Sequence, residues 1–222
     1  MESTRFRNRR DAGRRLAEVL LREPCRGDTV VLALPRGGVP VAAEIARALG
    51  VGLDVLVVRK LGHPLQPELA IGAVAEGGVR VMIPDSEGMI PARTIAEVAA
   101  QAMTEVEHRS RLYRGDSPLD LRQRAVILVD DGLATGATML AAVRAARAAG
   151  ARDLTVAVPV GDAGACARLA AEADRVVCLL QPTSLMAVGN WYDNFDQLTD
   201  QDVRTTLEAA RSAGGKCAGA VP

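Results

Sequence analysis

Short apolar runs alternate with alanine-rich helical segments along most of the chain, and this alternation limits the fold more than any other feature of the sequence. Runs rich in Val, Leu and Ile have the length of buried β-strands and occur at residues 29–34, 53–58, 125–129, 154–160 and 175–180. Segments with helical spacing lie between them, at residues 39–49, 91–113, 139–149 and 163–173. Such alternation favours right-handed crossovers. We therefore predict an α/β fold with a mainly parallel central sheet flanked by helices.

The length of 222 residues suits one domain with a substantial buried core. Apolar residues make up 49% of the chain but aromatic residues only 2%, so aliphatic side chains and alanine must fill that core. Two further apolar runs, 69–75 and 79–83, are joined by a Glu-Gly-Gly turn, which predicts a hairpin. We predict one domain over residues 1–210 and, because the composition turns to Gly, Ala and Lys, a disordered tail over 211–222.

The charge balance argues against nucleic acid or an anionic membrane as a partner, since 27 basic residues are matched by 27 acidic ones. No apolar stretch approaches the roughly 20 residues of a membrane span. Residues 6–21 are rich in arginine and lack the apolar centre of a signal peptide, so we predict a surface helix. A targeting peptide is the alternative, disfavoured by Asp11 and Glu18. The cysteines lack paired spacing, which favours reduced thiols and a cytoplasmic location: Cys25, Cys166, Cys178 and Cys217.

Two aspartates, Asp130 and Asp131, follow the buried run 125–129, at the strand end where open α/β sheets bind ligands. The next residues are small or hydroxylated and begin a helix, whose free N–H groups and dipole favour a phosphate: Thr135, Gly136, Ala137 and Thr138. Carboxylates repel phosphate, so the ligand must also offer hydroxyl groups or a metal ion. This combination predicts a ribose phosphate site. The alternative is that the aspartates only form a turn and cap the helix.

A second glycine loop, residues 34–40, repeats the pattern of strand, loop and helix with a cation added. Arg36, Gly37 and Gly38 could form a backbone nest for an anion whose charge Arg36 neutralises. The alternative is a turn with a solvated arginine. Arg59 and Lys60 follow the run 53–58, and we expect them to face the same crevice, unless they are simply a solvated pair.

The segment VILVDDGLATGAT resembles the signature of the type I phosphoribosyltransferases. The resemblance implies that Asp130 and Asp131 hold the ribose hydroxyls of phosphoribosyl pyrophosphate. It implies that the 5′-phosphate is bound by Ala134, Thr135, Gly136, Ala137 and Thr138.

The loop around Arg36 is similar to the pyrophosphate loop of the same family. The resemblance implies that pyrophosphate is bound by Arg36, Gly37, Gly38, Arg59 and Lys60. It implies transfer of ribose 5-phosphate to a nucleobase-like acceptor, for which the candidate catalytic residues are Asp130, Asp131, Arg36 and Lys60.

Departure of pyrophosphate builds positive charge on the sugar and negative charge on the leaving group, which Mg²⁺ and cationic side chains stabilise. We expect Mg²⁺ to arrive with the substrate; no direct protein ligand is assigned, and Asp130 and Asp131 reach it through ribose or water. The basic segment with Arg109, Arg111 and Tyr113 is the candidate for the family's closing loop. The alternative is an ordinary charged helix end.

Residues 182–200 resemble the C-terminal hood of the purine enzymes, where an aromatic ring stacks on the base. Trp191, Tyr192 and Asp193 are the candidate base-binding residues; alternatively, Trp191 and Phe195 anchor a final turn. In hypoxanthine-guanine enzymes the position of Ala134 carries an aspartate that assists proton movement. Alanine lacks that function, which disfavours 6-oxopurine salvage by the same mechanism.

Two other classes of function stay open at this point. A regulatory or sensor module would bind phosphoribosyl pyrophosphate or nucleotides without chemistry, and a phosphate-ester hydrolase would use the acid pair as metal ligands. A P-loop site and a dinucleotide fold are disfavoured because neither GxxxxGK nor GxGxxG occurs. His63 and His108 are single, which argues against a histidine-based metal site. A homodimer is an open alternative.

Overall fold

The computed structural model describes residues 5–23, 26–83, 90–117 and 119–214. Its elements in chain order are α1 (Arg9–Leu20), β1 (Val30–Ala33), α2 (Gly38–Leu49), β2 (Gly52–Val55), β3 (Val58–His63), β4 (Gln66–Ala75), a 3₁₀ turn (Glu76–Gly78), β5 (Val79–Met82), α3 (Ala92–Arg114), β6 (Ala125–Val129), α4 (Ala137–Ala148), β7 (Asp153–Val160), α5 (Ala163–Ala170), β8 (Arg175–Leu180), a second 3₁₀ turn (Val188–Trp191) and α6 (Asp200–Gly214).

The main sheet has five parallel strands in the order β2-β1-β6-β7-β8, and helices cover both of its faces. Alternate residues of β1 enter different cores: Val31 packs with α1, α2, α3 and α6, whereas Leu32 packs with α4 and α5. The α/β fold class predicted from the alternation of strands and helices is confirmed.

The strand order reverses between β1 and β6, and this position fixes where a ligand can bind. The chain leaves β1 through α2 on one face, and it leaves β6 through α4 on the other face. The two connections diverge, so a crevice opens between them at the carboxyl ends of the strands. The loops at residues 34–37 and 130–136 both border this crevice.

The hairpin predicted at residues 69–75 and 79–83 is confirmed as β4 and β5, which pair antiparallel. A third strand, β3, completes a separate antiparallel sheet in the order β3-β4-β5. This sheet corrects one expectation: Arg59 and Lys60 lie within β3 and do not end a parallel strand. The apolar run 53–58 hides the break between β2 and β3 because the connecting residues, Leu56 and Val57, are themselves buried.

Both ends of the domain are helical where the structure describes them. The surface helix predicted at residues 6–21 is confirmed as α1, which begins after the Asn8 side chain accepts from the N–H of Asp11. α6 runs to Gly214, so ordered chain continues past the predicted start of the tail; residues 215–222 lie outside the described residues. No helix within the described ranges is long and apolar enough to cross a bilayer.

The basic segment at residues 109–114 is not a loop, which corrects the sequence interpretation. Arg109, Arg111 and Tyr113 belong to the last turns of α3, which ends only at Gly115. Helical spacing of apolar residues continues to Tyr113, which is 4% exposed and packs in the core. Burial of this one aromatic ring holds the helix end in place.

Arg114 fastens the end of α3 to both sheets. Its guanidinium is paired with Glu76 and lies 3.8 Å from the carboxylate of Asp54, and it donates to the Val55 carbonyl oxygen at 3.0 Å. The Arg114 side chain is only 8% exposed, so these contacts replace water as its hydrogen-bonding partner.

Replacing Arg114 with methionine should lower the free energy of unfolding by about 3–5 kcal/mol, because Glu76 is left as an unpaired, largely buried charge. Urea unfolding measures the effect. Arg144→Met is the matched control, since Arg144 pairs with Glu172 at the surface and its loss should cost about 1 kcal/mol or less. Equal losses in the two variants would contradict the prediction.

Candidate functional site

The loops that follow β1 and β6 lie in contact at the crevice. The N–H of Leu34 donates to the carbonyl oxygen of Val129, with 2.8 Å between the two atoms. A Cβ atom on Gly37 would lie 2.0 Å from Oδ2 of Asp131, and one on Gly38 would lie 2.5 Å from the Val129 carbonyl oxygen. Any side chain at either glycine would therefore push the two loops apart.

The first loop keeps two backbone donors uncommitted. Among the described residues, no hydrogen bond has the N–H of Arg36 or Gly37 as its donor. The N–H of Gly38 donates to the carbonyl oxygen of Leu34 at 3.1 Å, so Gly38 contributes close packing and not a donor. Helix α2 begins here, and the positive end of its dipole favours an anion.

The second loop presents a set of free N–H groups at the start of α4. Gly136 adopts φ 80° and ψ −7°, a left-handed conformation that favours glycine, and caps the helix. Within the part of the chain that the structure describes, no hydrogen bond has an N–H of residues 134–138 as donor. Leu133 anchors the loop by donating to the Val160 carbonyl oxygen at 2.9 Å. An anchored set of free donors at a helix start suits a phosphate group.

The acid pair lies between these two loops. Oδ1 of Asp130 accepts from the N–H of Asp131 at 2.8 Å, and Oδ2 of Asp131 accepts from Nε of Arg9 at 2.7 Å. Withdrawal from water, and secondly the charge of Asp131, raise the pKa of Asp130 well above its ordinary value. Burial also raises the pKa of Asp131, although Arg9 opposes the shift. The two acids thus share one close cation.

Arg9 is the site residue that sequence reasoning missed. Its guanidinium pairs with Asp131, donates from Nη1 to the carbonyl oxygen of Asp196 at 2.9 Å, and stacks 3.7 Å from the centre of the Phe195 ring. Six arginines lie between residues 5 and 15, so composition alone could not single out this one. The Asn8 cap was the only sequence signal, because it fixes where α1 starts and hence which arginine faces the crevice.

The hood is fastened to the amino-terminal segment. Phe6 and Tyr192 form an isolated parallel bridge, and the N–H of Asp193 donates to the carbonyl oxygen of Phe6 at 2.8 Å. The Tyr192 hydroxyl donates to the carbonyl oxygen of Asp131 at 2.6 Å. Residues that are distant in the sequence therefore close one side of the acid pair.

The Tyr192 ring is not available to stack on a nucleobase, which corrects the prediction that Tyr192 binds the base. The residue is 2% exposed, and its ring packs against Phe6 and Phe195 with centroid distances of 5.4 and 4.9 Å. Trp191 is half-buried, and Asp193 is exposed and pairs with Arg5 at 3.6 Å. Their proposed roles at an acceptor stay predictions.

The remaining candidate residues belong either to the end of α3 or to β3. Burial and the bond to Asp200 raise the pKa of the Tyr113 phenol, while the charges of Arg109 and Arg36 oppose this rise, so these groups lie within electrostatic reach. Arg111 is exposed and lies near Glu107. Arg59 is paired with Glu105 of α3 at 3.0 Å, which compensates its charge. Lys60 is exposed on β3.

A cavity of about 380 Å³ opens beside the first loop, on the α2 side of the crevice. Its walls come from the start of α1, the start of α2, the hood and α6, and they include Arg9, Arg10 and Arg36. Arg9 is already paired with Asp131, so Arg10 and Arg36 supply most of the positive charge that the cavity offers to an anion. Asp196 and Asp202 also line the cavity, and their negative charges partly offset this positive charge.

A metal ion would find few protein ligands here. Within the described ranges, no group of three or more His, Cys, Asp or Glu side chains is close enough to hold one. The hard oxygen atoms of Asp130 and Asp131 suit Mg²⁺ chemically, but a pair of carboxylates alone leaves most of its positions to other oxygen donors. The acid pair would suit Mg²⁺ only where a bound ligand supplied most of the remaining oxygen donors.

The model of the phosphoribosyl transferase domain matches residues 4–191 of this sequence, a span that includes both loops, the acid pair and Arg9. The chain belongs to the phosphoribosyl transferase domain family. Two proteins from strains of Mycobacterium tuberculosis, each provisionally named a phosphoribosyl transferase, are 47% identical over 208 residues, which is 92% of this chain and 47% of theirs. The chain thus spans about half the length of these relatives.

A solved relative extends the comparison to the structure. The crystal structure of TT1426 from Thermus thermophilus has 45% sequence identity and a TM-score of 0.79, and the match covers 93% of this chain and 99% of that one. The family assignment confirms the resemblance inferred from the loop at residues 126–138. The phosphoribosyl transferase signature therefore coincides with the crevice between β1 and β6.

Replacing Gly37 with alanine should separate the two loops of this phosphoribosyl transferase domain. The new methyl group would force the Asp131 carboxylate to rotate and leave Arg9, and we expect a loss of about 1–3 kcal/mol in unfolding free energy. Gly27→Ala is the control, because no atom lies within 4 Å of its Cβ position. Chemical denaturation of both variants checks this, and an unchanged midpoint for Gly37→Ala would contradict it.

Replacing Asp130 with asparagine should stabilise the fold at pH 7 by about 0.5–2 kcal/mol. The folded-state pKa of Asp130 is raised, so this carboxyl destabilises the fold increasingly as the pH rises above its unfolded-state pKa, and it costs nothing below that value. The gain should therefore shrink as the pH falls towards 4. Asp120→Asn is the control, since Arg122 lowers the pKa of Asp120 to about 2 and its loss should not stabilise. Urea unfolding at both pH values measures the difference; a gain independent of pH would contradict the prediction.

Proposed function

We propose that this domain transfers ribose 5-phosphate from phosphoribosyl pyrophosphate to a nucleobase-like acceptor and releases pyrophosphate. One observation carries the proposal: the acid pair after β6 lies directly against the arginine-glycine loop after β1. A single ligand in the crevice would meet carboxylates that accept from hydroxyl groups, free backbone N–H donors and an arginine. Phosphoribosyl pyrophosphate offers hydroxyls, a phosphate and a pyrophosphate to match them.

The sugar phosphate would bind at the second loop. Asp130 and Asp131 would accept hydrogen bonds from the ribose hydroxyls, and the free N–H groups of residues 134–138 would donate to the 5′-phosphate. The side chains of Thr135 and Thr138 add hydroxyl donors at the same place. This division keeps the carboxylates away from the phosphate, which they would repel.

The pyrophosphate would bind at the first loop. The uncommitted N–H groups of Arg36 and Gly37, together with the Arg36 guanidinium, would stabilise negative charge as the leaving group departs. Lys60 stays a proposed second cation. Arg59 is a weaker candidate because Glu105 already compensates its charge.

The chain's own contribution to the reaction would be orientation and charge stabilisation. The C1–O bond of the sugar lengthens as positive charge develops on the ring, so the two carboxylates nearby favour the transition state electrostatically. Mg²⁺, when bound with the substrate, would add charge neutralisation at the pyrophosphate. The fastened hood would limit access of water to the reacting carbon.

The acceptor is the least defined part of the proposal. Trp191 and Asp193 are the hood residues that we propose to face it, since Tyr192 is committed to packing. Ala134 offers no proton acceptor, so a base that needs deprotonation must find its partner elsewhere. This gap supports the second candidate, a sensor that binds phosphoribosyl pyrophosphate without turnover.

Titration calorimetry with phosphoribosyl pyrophosphate and Mg²⁺, followed by assays with a panel of nucleobases, tests the proposal. We expect binding, and consumption of the ligand with one acceptor. Asp131→Asn should reduce turnover by about 10²–10³-fold, because the lost charge acts on the developing oxocarbenium. Asp120→Asn is the matched control and should turn over normally, because Asp120 is exposed and precedes the amino end of β6, whereas the crevice lies at the carboxyl end.

The outcomes separate the candidates. Binding without turnover across the panel would support the sensor, whereas the absence of binding would overturn both readings of the site. Release of phosphate from simple esters would point instead to a hydrolase.

A further inference from the structure

Arg9 joins three parts of the molecule through one buried guanidinium. Its side chain is 12% exposed, and that of its partner Asp131 is 15% exposed. Nε donates to Asp131 at 2.7 Å, Nη1 donates to the Asp196 carbonyl oxygen at 2.9 Å, and the plane of the group covers the Phe195 ring. A solvated surface arginine would not hold these three contacts at once, because each restricts its rotation.

We infer that Arg9 is a positioning residue for the ribose site, which fixes the Asp131 carboxylate beside Asp130 in the orientation that meets the sugar hydroxyls. The inference rests on the proposed function. Arg9 acts through Asp131 and is not itself assigned a contact with substrate.

Geometry makes this orientation dependent on a cation. The Asp131 carboxylate lies against Gly37 on one side and next to the Asp130 carboxyl group on the other. Two neighbouring carboxylates repel each other, and Gly37 leaves no room on its own side for rotation. The bond to Arg9 opposes that repulsion and keeps the two carboxylates together in the crevice.

Lysine cannot replace arginine fully at this position. An ammonium group can pair with Asp131, but it lacks the planar fork that reaches Asp196 in parallel, and it stacks less well on Phe195. A charge-conserving variant should therefore keep part of the effect. This partial rescue distinguishes positioning from simple neutralisation of charge.

Calorimetric titration of the full 222-residue chain with ribose 5-phosphate, and separately with Mg²⁺-pyrophosphate, tests the inference. Arg9→Gln should weaken ribose 5-phosphate at least tenfold and pyrophosphate less than twofold, because pyrophosphate has no ribose hydroxyls. Arg9→Lys should weaken ribose 5-phosphate by roughly three- to tenfold, an intermediate effect because only part of the fork is lost.

Arg14→Gln is the matched control. It removes the same charge from the same helix, but Arg14 only approaches Asp11 at 4.0 Å, so both ligands should bind as they do to the unmodified chain. If Arg9→Gln does not fold, as judged by circular dichroism, the affinities of Arg9→Lys and Arg14→Gln for ribose 5-phosphate are compared instead. Equal affinities of these two variants would overturn the inference.

A double-mutant cycle gives the decisive readout. In an Asp131→Asn background, Arg9→Gln should change the affinity for ribose 5-phosphate less than twofold, because no carboxylate remains to be positioned. Multiplicative losses, or equal weakening of both ligands by Arg9→Gln, would overturn the inference and leave Arg9 with a structural role. Normal binding by Arg9→Gln would overturn it as well.

Failure of the proposed function gives a different result. If the unmodified chain binds neither ribose 5-phosphate nor phosphoribosyl pyrophosphate, the proposed function is wrong and the inference falls with it. Binding by the unmodified chain together with normal binding by Arg9→Gln overturns the inference alone.

Discussion

The contact between the Asp131 carboxylate and the backbone of Gly37 is the constraint on which the site depends. It brings together a helix start with free N–H groups from one face of the sheet and an arginine-bearing helix start from the other. Each loop begins a helix and so has the form of a common anion site, and their contact sets the distance between the two loops. Only a residue without a Cβ atom permits this approach.

The contact also creates an electrostatic problem, and the chain solves it with distant residues. Two aspartates with raised pKa values lie side by side, and α1 supplies the nearby guanidinium. The hood adds a hydrogen bond from Tyr192 to the Asp131 backbone and a ring beneath Arg9. The buried acid pair lowers the free energy of unfolding, and the contacts around it offset this loss, which is common at functional sites.

Much of the fold and half of the site could be predicted from the sequence. The parallel strands, their helices and the loop at residues 130–138 follow from local patterns, because apolar spacing and glycine chemistry act over a few residues. The placement of Arg59 and Lys60 could not be predicted from the sequence, because the buried residues that connect β2 and β3 make the two strands look like one continuous apolar strand. The helical conformation of residues 109–114 could not be predicted either, because it depends on the burial of Tyr113 against α6.

The sequence by itself determined the fold class, the family and the position of the loop at residues 130–138, because these depend on short segments whose chemistry is local. Only the tertiary structure decided that Arg9 serves the acid pair, that Tyr192 is committed to packing, and that the two loops meet at Gly37. Each of these facts joins residues that are tens to nearly two hundred positions apart. The packing of helices against the sheet determines which distant residues meet, and this packing cannot be deduced from a local pattern of residues.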